Sequence, residues 1–185
     1  MNHCITAGLL AAAVMTMPFH TQAADAGDPQ ATPAAAADGL LDPMPETPAA
    51  PDFELQGPDG ETYSLAAMQG QPVIINFWAT WCPPCRAEMP AMQRAWEQLE
   101  GDGVMLVAVN VGESKAEVAA FAEQLQVEFP LPMDTDMSVS QRWPMKGLPT
   151  TFVVDPDGRL VYRAQGERDW DDPALLDLVR GLRQQ

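Results

Sequence analysis

The chain has 185 residues and a mass of 20.1 kDa, which suits one domain with short appendages. It carries 26 acidic and 10 basic residues, so its formal net charge at pH 7 is −16. This charge disfavours nucleic acid and anionic membrane surfaces as partners, because both are bound through clusters of lysine and arginine.

The N-terminal 23 residues have the pattern of an export signal. Residues 5–19 (ITAGLLAAAVMTMPF) are apolar apart from two threonines, and Thr21 and Ala23 supply small residues at the two positions that a signal peptidase reads. The apolar run is shorter than the roughly 20 residues of a membrane-spanning helix. We therefore expect residues 1–23 to be a cleaved signal peptide that exports the protein to the periplasm or another extracytoplasmic space. No lysine or arginine precedes the run, although export signals normally begin with positive charge, so an uncleaved anchor and a cytosolic protein stay open as alternatives.

Residues 24–51 have the composition of a linker. They contain nine alanines, six prolines, five acidic residues and neither lysine nor arginine. Such a segment buries too little apolar surface to offset its ordering entropy, so we expect it to be disordered. The folded domain is then predicted to span residues 52–185.

Cleavage of the signal peptide would exclude several kinds of metal site and catalytic group from the mature protein. His3, His20 and Cys4 all lie within it, so a cleaved chain keeps no histidine and only two cysteines. That composition excludes histidine-containing metal sites and histidine-activated nucleophiles from the mature protein. We expect no bound cofactor.

The first half of the domain is predicted to contain a hairpin, two strands and a helix. Residues 53–55 and 62–64 flank the turn sequence GPDG and predict the hairpin. Residues 73–78 (VIINFW) form an apolar run typical of a strand buried on both faces. Apolar residues at helical spacing predict a helix from Cys85 to Gly101, and residues 104–109 (VMLVAV) predict a second buried strand.

The second half predicts two more helices and a second hairpin. Ser114 and Glu117 form a capping box at the start of one helix. Residues 151–154 and 160–162 flank the turn DPDG, and Asp172 begins the last helix. Strands separated by helices pair in parallel, while the hairpin adds an antiparallel edge. The predicted fold class is therefore α/β, with one mixed sheet flanked by helices on both faces and a hairpin at its N-terminus.

Cys82 and Cys85 lie where the first central strand becomes a helix. A thiol at a helix N-terminus meets unpaired backbone N–H groups and the positive end of the helix dipole, which favour the thiolate. Cys82 is therefore the candidate nucleophile, and Cys85 can attack the resulting mixed disulfide and release a reduced target. A structural zinc ion would need four ligands, and the cleaved chain has only these two cysteines and no histidine, which argues against a zinc site. An inert disulfide would close too short a loop to stabilise the fold much, so we favour redox chemistry.

The residues between the cysteines indicate the direction of electron flow. Pro83 and Pro84 have no backbone N–H, so two donors that would hold a Cys82 thiolate are missing. Strong oxidants owe their potential to a stabilised reduced form, and a less stabilised thiolate makes a better reductant. The motif thus predicts a reductase.

Glu88 lies one helical turn after Cys85 and allows two interpretations. A carboxylate close to the thiols would raise their pKa by like-charge repulsion and would move protons during exchange. Alternatively, Glu88 is an ordinary first-turn acid stabilised by the helix dipole. Spacing alone favours this second interpretation.

Three separate segments resemble the TlpA/ResA group of thioredoxin-like, extracytoplasmic thiol–disulfide oxidoreductases. These segments are FWATWCPPCRAEMP at 77–90, VNVGES at 109–114 and GLPTTF at 147–152. The resemblance implies a thioredoxin fold for the domain, with Cys82 attacking and Cys85 resolving. It also implies that Glu88 is the group's buried active-site glutamate.

The resemblance further implies that Pro149 is a cis proline facing the cysteines. A cis bond at this position would turn the Leu148 backbone outward to pair with an extended substrate strand. Trp81, directly before the first cysteine, is expected to shield the disulfide.

The function that follows is that of a monomeric protein disulfide reductase. In the TlpA/ResA group the usual targets are the Cys-x-x-Cys-His haem sites of apocytochromes c or the copper-site cysteines of oxidase assembly factors. The expected electron donor is a membrane thiol carrier. Two alternatives stay open: a copper-binding assembly module that uses Cys82 and Cys85 as soft ligands, and a thiol oxidase. The missing histidine argues against the first, and the two prolines argue against the second.

Overall fold

The computed structural model describes Met1 and residues 39–184. The predicted signal peptide beyond Met1 and residues 24–38 of the predicted linker lie outside this part of the chain. Within the described residues, no helix has the length and apolar character needed to cross a membrane.

The described chain contains eight strands, three α-helices and four single 3₁₀ turns. The strands are β1 (Asp42–Pro43), β2 (Glu54–Gln56), β3 (Thr62–Ser64), β4 (Val73–Trp78), β5 (Met105–Val111), β6 (Met133–Asp134), β7 (Thr150–Val154) and β8 (Leu160–Gln165). The α-helices are α1 (Pro83–Leu99), α2 (Lys115–Leu125) and α3 (Pro173–Gly181). The 3₁₀ turns are Ala66–Met68, Glu100–Asp102, Ser140–Arg142 and Leu182–Gln184.

Six strands form one mixed sheet in the order β1-β8-β7-β4-β5-β6, while β2 and β3 form a separate hairpin. Strand β4 is central, because it pairs in parallel with β5 and antiparallel with β7. All of its residues are buried, as its unbroken apolar run predicts. The predicted mixed sheet and N-terminal hairpin are confirmed. The β7–β8 hairpin does not form the edge of the sheet, however, because β1 pairs with β8 on the outer side.

The two faces of the sheet are covered by different kinds of helix. Alternate residues of a strand point to opposite faces. On one face, Ile74 and Trp78 pack in a core shared with all three α-helices. On the other face, Ile75 and Phe77 pack in a core closed by the β2–β3 hairpin region and by the chain around two 3₁₀ turns. All three α-helices therefore lie on one face of the sheet, and the hairpin region and single 3₁₀ turns cover the other face, where the sequence had also predicted a helix.

Two of the helix starts have the caps that the sequence predicts. The Ser114 hydroxyl accepts a hydrogen bond from the Glu117 N–H, and the Glu117 carboxylate accepts one from the Ser114 N–H at 2.9 Å. At α3, Asp172 accepts hydrogen bonds from the N–H groups of Ala174 and Leu175. These caps satisfy backbone donors that would otherwise lack partners in the first turn.

The domain boundary predicted at Asp52 is too late in the sequence. Residues 39–51, here called the N-terminal strap, run along the outer edge of the sheet. Strand β1 within the strap pairs with β8, and Leu41 is 3% exposed in the larger core. The strand in this segment was not predicted because the composition, rich in alanine and proline, is typical of a linker. An edge strand is held by backbone hydrogen bonds, here with one buried leucine, and needs no long apolar run.

Candidate active site

The chain between β4 and α1 holds both cysteines at the start of the helix. Cys82 is the N-cap of α1 and forms a disulfide with Cys85. The Cys85 N–H donates to the Cys82 sulfur at 3.3 Å. Pro83 and Pro84 occupy the first two helical positions, so this N–H is the first backbone donor of the helix that faces the sulfur. The donor shortage inferred from the sequence is thus present in the structure.

The two cysteines are almost fully enclosed, whereas the residue before them is not. Cys82 is 3% exposed and Cys85 is completely buried. Trp81 is 68% exposed, so its ring offers an apolar surface to solvent directly next to the disulfide. Because Cys82 keeps some solvent exposure and Cys85 keeps none, Cys82 is the sulfur that a client can reach. A shielding role for Trp81 stays a prediction.

Glu88 is buried one turn further along α1. It is 3% exposed, and its carboxylate has three hydrogen-bond donors. The Asn76 side-chain amide donates to Oε1 at 2.8 Å, while the Trp170 indole and the Arg168 backbone N–H donate to Oε2 at 3.0 and 3.2 Å. Glu88 is therefore not the ordinary first-turn acid that spacing favoured.

Burial sets the protonation behaviour of Glu88. Loss of hydration raises its pKa from 4.5 to about 7, even though all three hydrogen bonds lower the pKa, and the nearby Glu167 charge raises it slightly further. A group with this pKa exchanges its proton readily near neutral pH. Glu88 lies one helical turn from Cys85, and proton transfer between the two side chains stays a prediction.

A surface pocket of about 320 Å³ reaches Glu88 from outside. It is lined by Ala87, Glu88, Ala91, Glu167, Arg168 and Asp169. The pocket gives the buried carboxyl group a route by which protons can pass to and from solvent.

The partners of Glu88 were missed in the sequence analysis. Asn76 lies in the middle of β4 and also donates to the Thr151 hydroxyl at 2.8 Å. The sequence could have predicted a role for Asn76, because a single amide side chain inside a buried apolar strand must have a polar partner. Trp170 and Arg168 lie about 80 residues from Glu88 in sequence, and no local pattern connects them.

A second buried carboxylate, also missed, holds the turn before the cysteines. Glu113 accepts hydrogen bonds from the Thr80 N–H and the Asn110 side chain, each at 2.7 Å, and from the Thr80 hydroxyl. It thereby fastens the residues that lead into Cys82 to the end of β5. Asn110 carried the same signal as Asn76, a lone amide in an apolar strand.

The Leu148–Pro149 peptide bond is cis, as the family resemblance implied. Pro149 is buried immediately before β7, and the half-buried Leu148 side chain packs against the core that contains both cysteines. The Pro149 carbonyl accepts a hydrogen bond from the Gly166 N–H at 2.9 Å. Among the described residues, no hydrogen bond is formed by the Leu148 backbone, so pairing with a client at this position stays a prediction.

No metal-binding cluster accompanies the disulfide in the described part of the chain. Groups of three or more histidine, cysteine, aspartate or glutamate side chains suitable for a metal ion are absent there.

The chain matches the sequence model of the AhpC/TSA family over residues 47–163. It is 41% identical over 117 residues to the thiol-disulfide oxidoreductase ResA of Bacillus subtilis, a match that covers 63% of this chain and 65% of the relative. The ResA of Geobacillus thermodenitrificans is 40% identical over 123 residues, covering 66% of this chain and 71% of that protein. The match thus spans about two thirds of the length of these relatives.

Solved structures show the same fold. A putative thiol:disulfide interchange protein DsbE from Chlorobium tepidum superposes with a TM-score of 0.68 at 31% identity, over 77% of this chain and 99% of that chain. StoA from Bacillus subtilis superposes with a TM-score of 0.61 at 25% identity, over 69% of this chain and 97% of that chain. The thioredoxin-like fold expected from the sequence is therefore confirmed.

Proposed function

Because this chain belongs to the AhpC/TSA family and groups with its ResA-like thiol–disulfide oxidoreductases, we propose that it is a reductant of protein disulfides outside the cytoplasm. The observation that carries the proposal is the Cys82–Cys85 pair at a helix N-terminus, one turn from a buried carboxyl group with a pKa near neutrality. Exchange chemistry needs both an accessible sulfur and a local proton carrier.

The reaction starts from the reduced dithiol. The Cys82 thiolate attacks one sulfur of a client disulfide, which forms a mixed disulfide and releases the other client sulfur as a thiolate. Glu88 takes the Cys85 proton, and the Cys85 thiolate attacks the Cys82 sulfur. The second client sulfur leaves as a thiolate and takes the proton that Glu88 holds, while the first client thiolate takes from solvent the proton that the Cys82 thiol had released. Two electrons and two protons thus pass to the client as the Cys82–Cys85 disulfide forms.

Two features support reduction over oxidation. Pro83 and Pro84 remove two helix donors that would stabilise a Cys82 thiolate. The Glu88 carboxylate, when ionised, further disfavours a neighbouring thiolate by like-charge repulsion. Both effects destabilise the ionised reduced form and therefore favour transfer of its electrons to a client.

The proposed clients are the Cys-x-x-Cys-His segments of apocytochromes c or the copper-site cysteines of oxidase assembly factors. An extended client segment that carries such a disulfide would pair with the Leu148 backbone beside the exposed Trp81 ring. A membrane thiol carrier would return the disulfide to the dithiol. Export by a signal peptide over residues 1–23 would place the protein outside the cytoplasm, where these clients are. The intact mass of the exported protein tests this, because cleavage is expected to leave Ala24 as the N-terminal residue.

The experiment that tests the proposal is a trapping reaction with two matched variants. Reduced Cys85→Ala and Cys82→Ala proteins are mixed with synthetic peptides that carry an oxidised Cys-x-x-Cys-His motif or an oxidised copper-site motif. Cys85→Ala is expected to accumulate a covalent adduct of protein plus peptide mass, because Cys82 attacks and no resolving thiol follows. An adduct with neither peptide, or an equal adduct with Cys82→Ala, would overturn the proposal.

A further inference from the structure

Two of the three donors to Glu88 come from one loop. Residues 165–170, here called the 165–170 loop, connect β8 to α3 and supply the Arg168 N–H and the Trp170 indole. The geometry of this loop therefore determines how well the Glu88 carboxylate is hydrogen-bonded. Trp170 is completely buried in the larger core, whereas residues 165–169 lie at or near the surface and need other contacts to fix their shape.

The Arg168 side chain supplies such a constraint. Its guanidinium group donates to three consecutive carbonyls of its own loop and to one carbonyl of the N-terminal strap. The acceptors are Gln165 O at 3.2 Å, Gly166 O at 3.5 Å, Glu167 O at 2.8 Å and Leu40 O at 3.3 Å. The Nε–H donates to the strap carbonyl, while the three loop carbonyls all lie around Nη1, whose two N–H groups are shared among them, so one side chain contacts both segments at once.

The loop is also bent at a position that favours glycine. Gly166 has φ of +80°, in the left-handed region that other residues rarely adopt. Its N–H donates to the Pro149 carbonyl at 2.9 Å. The loop thus touches the cis proline at one end and Glu88 at the other, with the Arg168 guanidinium bound between them.

We infer that Arg168 is a positioning residue for the proton-carrying Glu88: its guanidinium fixes the 165–170 loop to the strap and thereby aims the Arg168 N–H and the Trp170 indole at the carboxylate. The side chain acts through its carbonyl contacts, since all four of them lie on backbone oxygens of the loop and the strap. The role in exchange chemistry rests on the proposed function, whereas the positioning of Glu88 does not.

The direct test is a titration of the Glu88 carboxyl group in the oxidised full-length protein. Its carboxyl carbon is followed by NMR with ¹³C-labelled glutamate and is assigned by its absence in Glu88→Gln. Arg168→Ala should raise the Glu88 midpoint by about one pH unit, because the two donors from the loop stabilise the ionised form. The charged groups that share the pocket with Glu88 are Glu167, Arg168 and Asp169, and the oxidised cysteines do not titrate.

Arg159→Ala is the matched control. Arg159 also donates to a strap carbonyl, Thr47 O at 3.3 Å, but it forms no hydrogen bond with the 165–170 loop. Its removal should leave the Glu88 midpoint unchanged. An unchanged midpoint in Arg168→Ala, or an equal shift in Arg159→Ala, would overturn the inference. If Arg168→Ala does not fold, Arg168→Lys replaces it, with a smaller upward shift expected and no shift counting against the inference.

A second measurement asks whether Arg168 acts on the thiols through Glu88. The pKa of the Cys82 thiol is measured in the reduced protein with and without Arg168→Ala, in the wild-type and Glu88→Gln backgrounds. A change in the first background and none in the second is expected. Equal changes in both backgrounds would show that Arg168 acts on the cysteines by another route. The carboxyl titration involves no client and no reduction, so its failure is distinguishable from failure of the proposed function.

Discussion

The Glu88 carboxyl group is hydrogen-bonded only by neutral donors: an amide, an indole and a backbone N–H. Neutral donors offset only part of the hydration that a buried carboxylate loses. This is why the pKa rises to about 7 despite three hydrogen bonds. A rise from 4.5 to about 7 corresponds to about 3 kcal/mol of preference for the protonated form in the folded protein.

The stability of the oxidised protein should therefore fall with rising pH through Glu88. The folded pKa is raised above the unfolded value, so this contribution is fully present below pH 4.5 and lost as the pH approaches about 7. Glu88→Gln removes the titration, and the Asn76 amide can rotate to offer its unpartnered Oδ1 to the new NH₂ group. The unfolding free energy of Glu88→Gln minus that of wild type should therefore increase by about 3 kcal/mol from pH 4.5 to pH 8, as measured by urea unfolding.

Glu167→Gln is the control for this pH dependence, because the exposed Glu167 lines the same pocket. Its unfolding free energy should keep nearly the pH dependence of wild type, because the Glu167 charge is the smallest of the causes that shift the Glu88 pKa. A constant difference between wild type and Glu88→Gln would contradict a raised Glu88 pKa.

Glu88 should also control the acidity of the thiols in the reduced protein. Replacing it with glutamine removes a negative charge but keeps the size of the side chain, so the pKa of the Cys82 thiol is expected to fall. The rate of alkylation against pH measures this value. Identical alkylation profiles for Glu88→Gln and wild type would show that Glu88 does not act on the cysteines, and Glu167→Gln again serves as the control.

At the residue scale, the sequence predicted the site residues that depend on local structure and missed the contacts between residues far apart in the chain. The positions of Cys82 and Cys85 followed from a strand that runs into a helix. Glu88 was misjudged from spacing, because its burial depends on Trp170, which packs against it from the other end of the domain. Asn76 was detectable as a lone amide in a buried strand.

At the element scale, the N-terminal strap is the main difference between prediction and structure. Its contacts are made with β8, more than 100 residues later, through backbone hydrogen bonds that composition does not reveal. Strand β6 was missed for a similar reason, since two residues paired in parallel with β5 leave no periodic signal. The longer elements were predicted because each has an apolar run, a cap or a turn sequence of its own.

Leu41 is the residue through which the strap should stabilise the fold. It is 3% exposed in the larger core, so Leu41→Ala should lower the unfolding free energy by about 2–3 kcal/mol. The half-buried Leu40 beside it is the matched control, and Leu40→Ala should cost clearly less. Urea unfolding of both variants measures the difference. Equal and negligible losses would mean that the strap is not part of the core.

At the scale of the whole molecule, the site is assembled from segments that belong to or adjoin three strands of the sheet, β4, β7 and β8. Strand β4 supplies Asn76, helix α1 and its N-cap supply Glu88 and Cys82, the residue before β7 is Pro149, and the loop after β8 supplies Trp170. The strap then reaches this loop through Leu40. The domain that carries the proposed reductase therefore begins before residue 42, and a truncation at residue 52 would remove one constraint on Glu88.

The central claim is that the cysteine pair is a reductant, and its midpoint potential tests this most directly. The oxidised and reduced forms are equilibrated at pH 7 with glutathione and with dithiothreitol and counted by mass after alkylation. With the first two helix donors missing and Glu88 buried one turn away, the midpoint should lie near thioredoxin's value of about −270 mV. A midpoint above about −180 mV would place the pair among oxidants and isomerases and contradict the reductase assignment.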